Sequence, residues 1–395
     1  MASINVRPEF FGQPQTANKE CSSEIIQQVF SQTSNVASDV ISGDAIFDLS
    51  TGANEWLDLF KTHIAVQYTW TGTVEHARNE NFAACCFDRA QLLLNGVKVA
   101  NSDYFTQDSM LSKRLNFSET YNENINNLTY IKPAAATTYG TVGAQTSIEH
   151  LDALFLRNPD CIIPPNTHVR LILTASNDYL TKTLVSDASN GAGTTAIAKL
   201  YINRFTIIKT APVSDGDHIV KLNTFQTFKS AISNATLNTQ VMVRESCIRL
   251  AAYFQSNTIH ADFSIYSATN FSYLNDVVTA KLKTLLFKYG SQQLPSRAFD
   301  NTSYGFQESH MLNMTMAEKT LDPAGGETYT SWLNQGPIYS VPVVKTSTDT
   351  SRTVELQCLF ATNPAAFSYL TAVYENFISI PYMQGVPAGP TISLI

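Results

Sequence analysis

The sequence of 395 residues contains few charged side chains, since Asp, Glu, Lys and Arg together make up 15% of it, against about 25% in an average soluble domain. The 33 acidic residues outnumber the 26 lysines and arginines, so the net charge is −7. Residues 1–43 contain two basic and four acidic residues, so they form no basic arm. Because bare nucleic acid is bound through Lys and Arg contacts to phosphates, we expect no direct, sequence-specific nucleic-acid binding.

Cysteines are also few. Four of the six lie in apolar, strand-like runs, so we expect free and mostly buried thiols; the six are Cys21, Cys85, Cys86, Cys161, Cys247 and Cys358. There is no CxxC spacing, no apolar stretch of a signal peptide at the N-terminus and no run of 18 apolar residues. These absences predict synthesis in a reducing cytosol.

Motifs of catalytic and cofactor sites are missing as well. The sequence has no GxGxxG after a strand, no GxxxxGK[ST], no HExxH and no GxSxG. We therefore predict no catalytic residues, no metal site, no cofactor and no enzymatic activity. One alternative stays open, which is a catalytic pair of carboxylates of the kind that glycosidases use. The candidates are acidic residues in predicted loops, whose ordinary interpretation is solvated turn residues: Asp215, Asp217, Glu308 and Asp322.

The main positive signal is the alternation of apolar and polar residues with a period of two, which is typical of half-buried strands. In residues 64–70, Ile64, Val66, Tyr68 and Trp70 face one way, and similar patterns occur at 169–175, 248–254 and 354–360. Helical periodicity is scarce by comparison. Many strands separated by turn residues favour an all-β sandwich or barrel over alternating βαβ units.

Three pairs of segments indicate an internal repeat. Gly96 and Gly290 follow similar strands 194 residues apart, Asn177 and Asn363 end similar strands 186 residues apart, and Tyr201 and Tyr374 lie in similar strands 173 residues apart. Strands also resemble one another by composition alone. The common order of strand, Gly turn, long loop, strand and final strand nevertheless favours two copies of one unit.

The repeat predicts five parts of the chain. We expect an N-terminal arm at 1–43 with a short helix at 24–30, a first all-β module at 44–212, a linker at 213–217, a second module at 218–383 and an extended tail at 384–395. Weak periodicity over 106–146 and 300–333 predicts long interaction loops at the same point of each module.

Residues 162–173 (IIPPNTHVRLIL) resemble a proline turn leading into a late jelly-roll strand, and residues 294–297 (LPSR) resemble a turn after a strand. With the two similar modules, the chain resembles the double jelly-roll major capsid proteins of tailless lipid-containing bacteriophages, adenoviruses, virophages and polinton-like viruses. The resemblance implies an all-β fold of two tandem eight-stranded jelly rolls, with long inter-strand loops and a few short helices.

The resemblance also implies a structural role in the virion. The expected assembly is a homotrimer with six nearly equivalent jelly rolls, which tiles an icosahedral shell beside neighbouring capsomers and minor capsid or penton proteins. It leaves open whether an internal membrane lies beneath the shell. The long loops would face outward and the terminal segments inward.

Apolar side chains near both termini are the candidates for assembly contacts under this hypothesis: Ile25, Ile26, Val29 and Phe30 near the N-terminus, and Ile392, Leu394 and Ile395 in the tail. The alternative for the first four is that they pack on their own domain, and the alternative for the tail is a frayed end.

Other classes of protein stay open at this point. A single-jelly-roll coat protein of an RNA virus with a projecting domain commonly carries a basic arm, which this chain lacks. A two-domain β-sandwich protein for carbohydrate binding or adhesion is usually secreted. An enzyme built on tandem sandwiches ranks third, because no reactive residues stand out.

Overall fold

The computed structural model describes most of both halves of the chain. The described residues are 20–30, 36–37, 40–41, 43–52, 55–70, 76–78, 82–116, 143–150, 162–176, 184–186, 193–208, 216–244, 246–256, 282–301, 305–316, 329, 332, 336–343, 352–382 and 393–394.

The elements of the first half are β1 (Glu20–Phe30), β2 (Val36–Ala37), β3 (Val40–Ile41), β4 (Asp44–Asp48), β5 (Trp56–Trp70), β6 (His76–Arg78), α1 (Phe82–Cys85), β7 (Phe87–Leu94), β8 (Val97–Ser102), α2 (Phe105–Asn116), β9 (Gly143–His150), β10 (Ile162–Ile163), β11 (Val169–Ala175), β12 (Leu184–Ser186) and β13 (Gly193–Ile208). Those of the second half are β14 (Gly216–Ile232), β15 (Thr236–Met242), β16 (Cys247–Ser256), β17 (Leu282–Tyr289), β18 (Gln292–Asp300), α3 (Gly305–Met316), β19 (Tyr339–Pro342), β20 (Thr353–Phe360), β21 (Ala366–Tyr382) and β22 (Ser393–Leu394).

Both halves have the same sheet topology. In the first half the strand order is β1-β13-β5-β10 in one sheet and β4-β11-β7-β8 in the other, while β9 pairs with β5. In the second half the orders are β14-β21-β16-β19 and β15-β20-β17-β18, while β22 pairs with β21. If the eight main strands of each half are lettered B to I in chain order, both halves have a BIDG sheet and a CHEF sheet. This is the jelly-roll arrangement, and the predicted fold class is confirmed.

Each jelly roll has its own core, formed where the inward residues of its two sheets meet. The first core includes Phe47, Leu57, Ile64, Val66, Leu92, Leu94, Val169, Leu171 and Leu173. The second includes Leu250, Ala252, Phe254, Leu285, Phe287, Val341, Val354, Leu356, Leu370 and Tyr374. The predicted alternation is visible in β20, where buried Val354, Leu356 and Cys358 alternate with more exposed neighbours.

The pairing of strands shows which residues of the two halves are equivalent. One row of paired residues crosses the first BIDG sheet and is made of Ile26, Asn203, Asp58 and Ile162. The corresponding row in the second is made of Thr227, Thr371, Ala251 and Ser340. In the next row of each sheet, a core leucine of the D strand pairs with a residue of the G strand at the sheet edge. These pairs are Leu57 with Ile163 and Leu250 with Val341.

This register corrects the predicted alignment of the last strands. Tyr201 lies two residues before Asn203 on β13, and Tyr369 lies two before Thr371 on β21, so these two tyrosines are equivalent. Tyr374, the predicted counterpart, belongs to the second core. Because successive residues of a strand face opposite sides, an alignment shifted by an odd number of residues exchanges the buried and outward faces.

The helix predicted at 24–30 is wrong. These residues belong to β1, which pairs with β13 from Glu20 to Phe30 and supplies the first strand of the first jelly roll. The spacing of Ile25, Ile26, Val29 and Phe30 fits one face of a helix, but β-branched and aromatic residues favour strands. Pairing with β13 from Lys199 to Ile208 decides between the two.

The predicted loops at 106–146 and 300–333 both begin with regular structure. A helix of 12 residues follows the F strand in each half, α2 in the first and α3 in the second. Residues 117–142 of the first loop lie outside the described part of the chain, as does most of 317–335. The first turns of these segments are therefore helical, and α2 is buried between the two jelly rolls.

Candidate assembly interface

Helix α2 of the first jelly roll packs on the outward face of the second BIDG sheet. Its side chains Met110, Leu111 and Leu115 form one hydrophobic cluster with Ala251, Tyr253, Ile338 and Tyr369 of the second half. Met110 retains 3% of its exposure, and Leu111 none. Fully burying a side chain of this size contributes about 1.5–3 kcal/mol, so this helix contributes substantially to holding the two modules together.

Aromatic rings form the surface beneath the helix. Tyr253 on β16 and Tyr369 on β21 are stacked with their ring centroids 5.0 Å apart and their planes 4° apart. Tyr104, just before α2, meets Tyr369 edge to face at 5.9 Å. Offset-stacked and edge-to-face rings attract each other beyond the area they bury, so the contact has a defined geometry as well as a large apolar area.

A buried carboxyl group lies in the same interface. Asp108 of α2 accepts a hydrogen bond of 2.6 Å from the hydroxyl of Ser102, and another of 2.6 Å from the hydroxyl of Thr227 on β14. Thr227 in turn lies 2.8 Å from the hydroxyl of Thr371. Burial raises the pKa of Asp108 to about 7, because desolvation disfavours the charged form more than the two hydroxyl groups favour it.

The second jelly roll also reaches into the first core. Val220 and Leu222 of β14 and Ile378 and Ile380 of β21 belong to the first hydrophobic cluster and are fully buried or nearly so. These residues lie at the end of a pair of 17-residue strands that extends beyond its own sandwich. The two modules are thus joined by contacts in both directions.

Helix α3 is the counterpart of α2. The segments FTQDSML, from Phe105 to Leu111, and FQESHML, from Phe306 to Leu312, align without a gap, and both phenylalanines are buried in their own cores. In this alignment Ser309 takes the place of Asp108. Both residues bond back to the strand before the helix, Ser309 by donating to the carbonyl oxygen of Asp300 at 2.8 Å.

The two helices differ in exposure at two pairs of equivalent positions. Met110 is 3% exposed because the second jelly roll covers it, whereas its counterpart Met311 is 58% exposed. Leu111 is fully buried, and its counterpart Leu312 is only partly buried. The position of Met110 on α2 is therefore covered within the chain, whereas the side chain of Met311 on α3 is open to solvent.

The four N-terminal candidates do not form a single stripe. Since β1 is a strand, Ile25 and Val29 occupy one face and Ile26 and Phe30 the other. Val29 is partly buried and packs against the first core. Ile26 and Phe30 occupy register positions on the outward face of the first BIDG sheet.

Of the three tail candidates, Leu394 is within the described residues. It lies in β22 and pairs with Ile378 of the same chain, while Ile392 and Ile395 lie outside the described residues. The role of this segment in assembly stays a prediction.

Of the four acidic candidates, two lie within the described residues, and they are on different elements. Glu308 is on α3, where Arg297 donates to its carboxylate at 3.0 Å; Asp217 lies in β14; and Asp215 and Asp322 lie outside the described residues. Among the residues that the structure describes, no group of three or more His, Cys, Asp or Glu side chains is placed to hold a metal ion. Cys86, Cys247 and Cys358 are buried thiols, as predicted for these three.

No helix within the described ranges is both long enough and apolar enough to span a membrane.

The interface residues on α2 were missed in the sequence because α2 lies in a segment interpreted as a loop. The repeated pattern of phenylalanine followed five residues later by Met-Leu was the available signal, since it occurs after the F strand in both halves.

No protein-family model matches the chain, and no curated protein matches it in sequence. Solved structures match it closely in fold. One from the Sputnik virophage has a TM-score of 0.65 at 12% identity and covers 100% of this chain and 91% of the other. A chain of the PBCV-1 virus capsid has a TM-score of 0.62 at 11% identity, with 96% and 98% covered.

The major capsid protein of mavirus matches with a TM-score of 0.56 at 10% identity and covers 100% of this chain and 96% of that one. These likenesses extend over both jelly rolls. They show that the chain has the double jelly-roll fold of these viral capsid proteins.

Proposed function

We propose that this chain is the major structural protein of an icosahedral virus shell and that three copies join into a unit of six jelly rolls. The observation that carries this proposal is the head-to-tail contact between its two modules. A helix after the F strand of one jelly roll covers the BIDG sheet of the next. Repetition of such a contact between like modules generates a closed ring when the rotation allows it.

The chain uses this contact once and carries the parts for a second. Helix α3 presents the exposed Met311, and the first BIDG sheet has the topology of the sheet that receives α2. Three chains joined head to tail would supply six modules, which fill a hexagonal position in a shell. The match to viral capsid proteins over the whole chain supports the same role.

The remaining parts of the proposal follow from the role of a shell protein. The partners are other copies of the trimer and the minor proteins that occupy the remaining positions of a shell. The place of action is the virion after synthesis in the host cytoplasm, and the role is structural and not enzymatic. A single-jelly-roll coat protein with a projecting domain does not fit, because both halves contain the eight strands of a jelly roll.

Light scattering on the purified full-length chain after size-exclusion chromatography tests the proposal. The expected mass is three times the 43.5 kDa of one chain, unchanged on dilution to micromolar concentration. A stable monomer would contradict the proposed assembly, and a monomer that binds carbohydrate would favour the adhesion alternative.

A further inference from the structure

Helix α2 is attached to the second jelly roll through a buried carboxyl group, that of Asp108. We infer that this group makes the contact between the two jelly rolls pH-sensitive. With its proton bound, Asp108 keeps α2 on the second BIDG sheet; when the proton is lost, a local opening that separates α2 from this sheet becomes more favourable. The inference concerns a single chain and is independent of how many chains assemble.

Asp108 lies where the two modules meet. Its carboxyl group bonds to Ser102 of its own module and to Thr227 of the other, both at 2.6 Å. Thr227 is in turn 2.8 Å from the hydroxyl of Thr371. Since a protonated carboxyl group donates one hydrogen bond and accepts others, both forms of Asp108 can keep these partners. The two forms differ in the cost of burial, because an ion loses far more hydration than a neutral group does.

The groups around Asp108 do not neutralise a negative charge there. Within the described part of the chain, no cation pairs with its carboxylate, whose partners are hydroxyl groups. Lys229 of β14 places its ammonium group over the rings of Phe367 and Tyr369, 4.0 and 5.7 Å from their centroids. The titratable and charged groups on the elements that meet at this junction are Asp103, Tyr104, Arg114, Lys229, Tyr253 and Tyr369.

The direction of the pH effect follows from the burial of the carboxyl group. Burial raises the pKa of Asp108 from 3.8 to about 7; the hydroxyl groups of Ser102 and Thr227 oppose this rise, and the charge of Asp103 adds to it. An opening that lets water reach the carboxylate returns its pKa towards the ordinary value. The closed junction therefore binds the proton more tightly than the open one, and it loses stability as the pH rises from about 4 to about 7.

Helix α3 provides a matched comparison in the same chain. It has Ser309 where α2 has Asp108, and the hydroxyl of Ser309 donates to the carbonyl oxygen of Asp300 at 2.8 Å. The neighbouring Glu308 is partly exposed and is paired with Arg297. A pH effect on the whole chain would loosen both helices, whereas titration of Asp108 at the junction would loosen α2 alone.

Hydrogen–deuterium exchange followed by mass spectrometry tests the inference. The full-length protein is labelled between pH 5 and pH 8, and the rates are corrected for the intrinsic pH dependence of amide exchange. We expect the protection of residues 105–116 to fall about 100-fold over this range, while that of residues 305–316 stays level. In Asp108→Asn the protection of residues 105–116 should not depend on pH. In the control Glu308→Gln it should fall as in the wild type.

A loss of protection that is confined to residues 105–116 and abolished by Asp108→Asn supports the inference. An equal loss in both helices, or an α2 whose protection does not change with pH, overturns it. If Asp108→Asn fails to fold, Thr227→Val gives the decision. This variant lacks the hydroxyl group that favours the ionised carboxylate, so the loss of protection should move to higher pH. An unchanged pH midpoint in Thr227→Val overturns the inference as well.

Discussion

Thr227 of the second jelly roll donates a hydrogen bond of 2.6 Å to Asp108 of the first. The two residues are 119 positions apart in the chain, and the bond connects the helix after the first F strand to the first strand of the next module. Asp108 is fully buried, and its carboxylate accepts hydrogen bonds from the hydroxyl groups of Ser102 and Thr227. The junction between the modules therefore contains one group whose charge depends on pH near neutrality.

The first prediction concerns this group. Because the pKa of Asp108 rises from 3.8 to about 7 in the folded chain, the folded state holds its proton to higher pH than the unfolded state does. The stability that this provides is fully present below about pH 4 and is lost as the pH rises to about 7. Three pKa units correspond to about 4 kcal/mol.

Urea unfolding of the wild type and of Asp108→Asn, measured between pH 4 and pH 8, checks the contribution of Asp108 to the free energy of unfolding. The free energy of unfolding of the wild type should fall relative to that of the variant across pH 4–7 and then stay level. Parallel curves for the two proteins would show that Asp108 titrates normally.

The second prediction compares equivalent methionines. Met110→Ala removes a buried side chain from the junction between modules and should lower the free energy of unfolding of the full chain by about 2–5 kcal/mol. Met311→Ala alters a side chain that is 58% exposed and should change the stability of the isolated chain by less than about 0.5 kcal/mol. Its effect should appear in the trimer dissociation constant instead. If Met110→Ala and Met311→Ala lowered the free energy of unfolding of the dissociated chain equally, the different roles given to the two methionines would be wrong.

The third prediction concerns the start of α3. A Cβ atom on Gly305 would lie 1.8 Å from the backbone oxygen of Asp300, so Gly305→Ala must displace the junction of β18 and α3. Overpacking of this kind costs about 1–3 kcal/mol or more. Gly52→Ala is the control, since the nearest atoms to its Cβ, at 3.1 Å and beyond, belong to the side chain of Glu55 and not to the backbone. In chemical denaturation, the free energy of unfolding should be well below that of Gly52→Ala for the variant Gly305→Ala. The reverse order would contradict the crowding at Gly305.

The fourth prediction concerns cooperativity. Leu171 and Leu356 are fully buried in the first and second cores, and either Leu→Ala substitution should cost about 2–5 kcal/mol. Because Val220 and Ile378 of the second half belong to the first core, both variants should lower the midpoint of one shared thermal transition. Two transitions in calorimetry, with each variant moving only one of them, would show that the modules unfold independently.

Much of the fold could be predicted from the sequence, because strand alternation is a local signal. Residues 169–175 and 354–360 read as strands and are strands. The repeat was visible for the same reason. The exact register of the repeat could not be predicted, because it depends on which residues pair across the sheet. For this reason the sequence comparison matches Tyr201 with Tyr374, whereas the paired strands match it with Tyr369.

The interface could be predicted less well. Ile25, Ile26, Val29 and Phe30 fit one face of a helix by their spacing and a strand by their residue types, and only the partner strand β13 decides between the two. Asp108 is one acidic residue among 33 in the sequence, and only the fold brings it to Thr227. Long-range contacts of this kind leave no local pattern.

Cryo-electron microscopy of the assembled full-length protein would show how the chains are arranged. We predict a six-lobed ring made of three chains, with α3 of each chain at the boundary with the first jelly roll of the next. A particle in which the jelly rolls of different chains do not alternate around a threefold axis would contradict it.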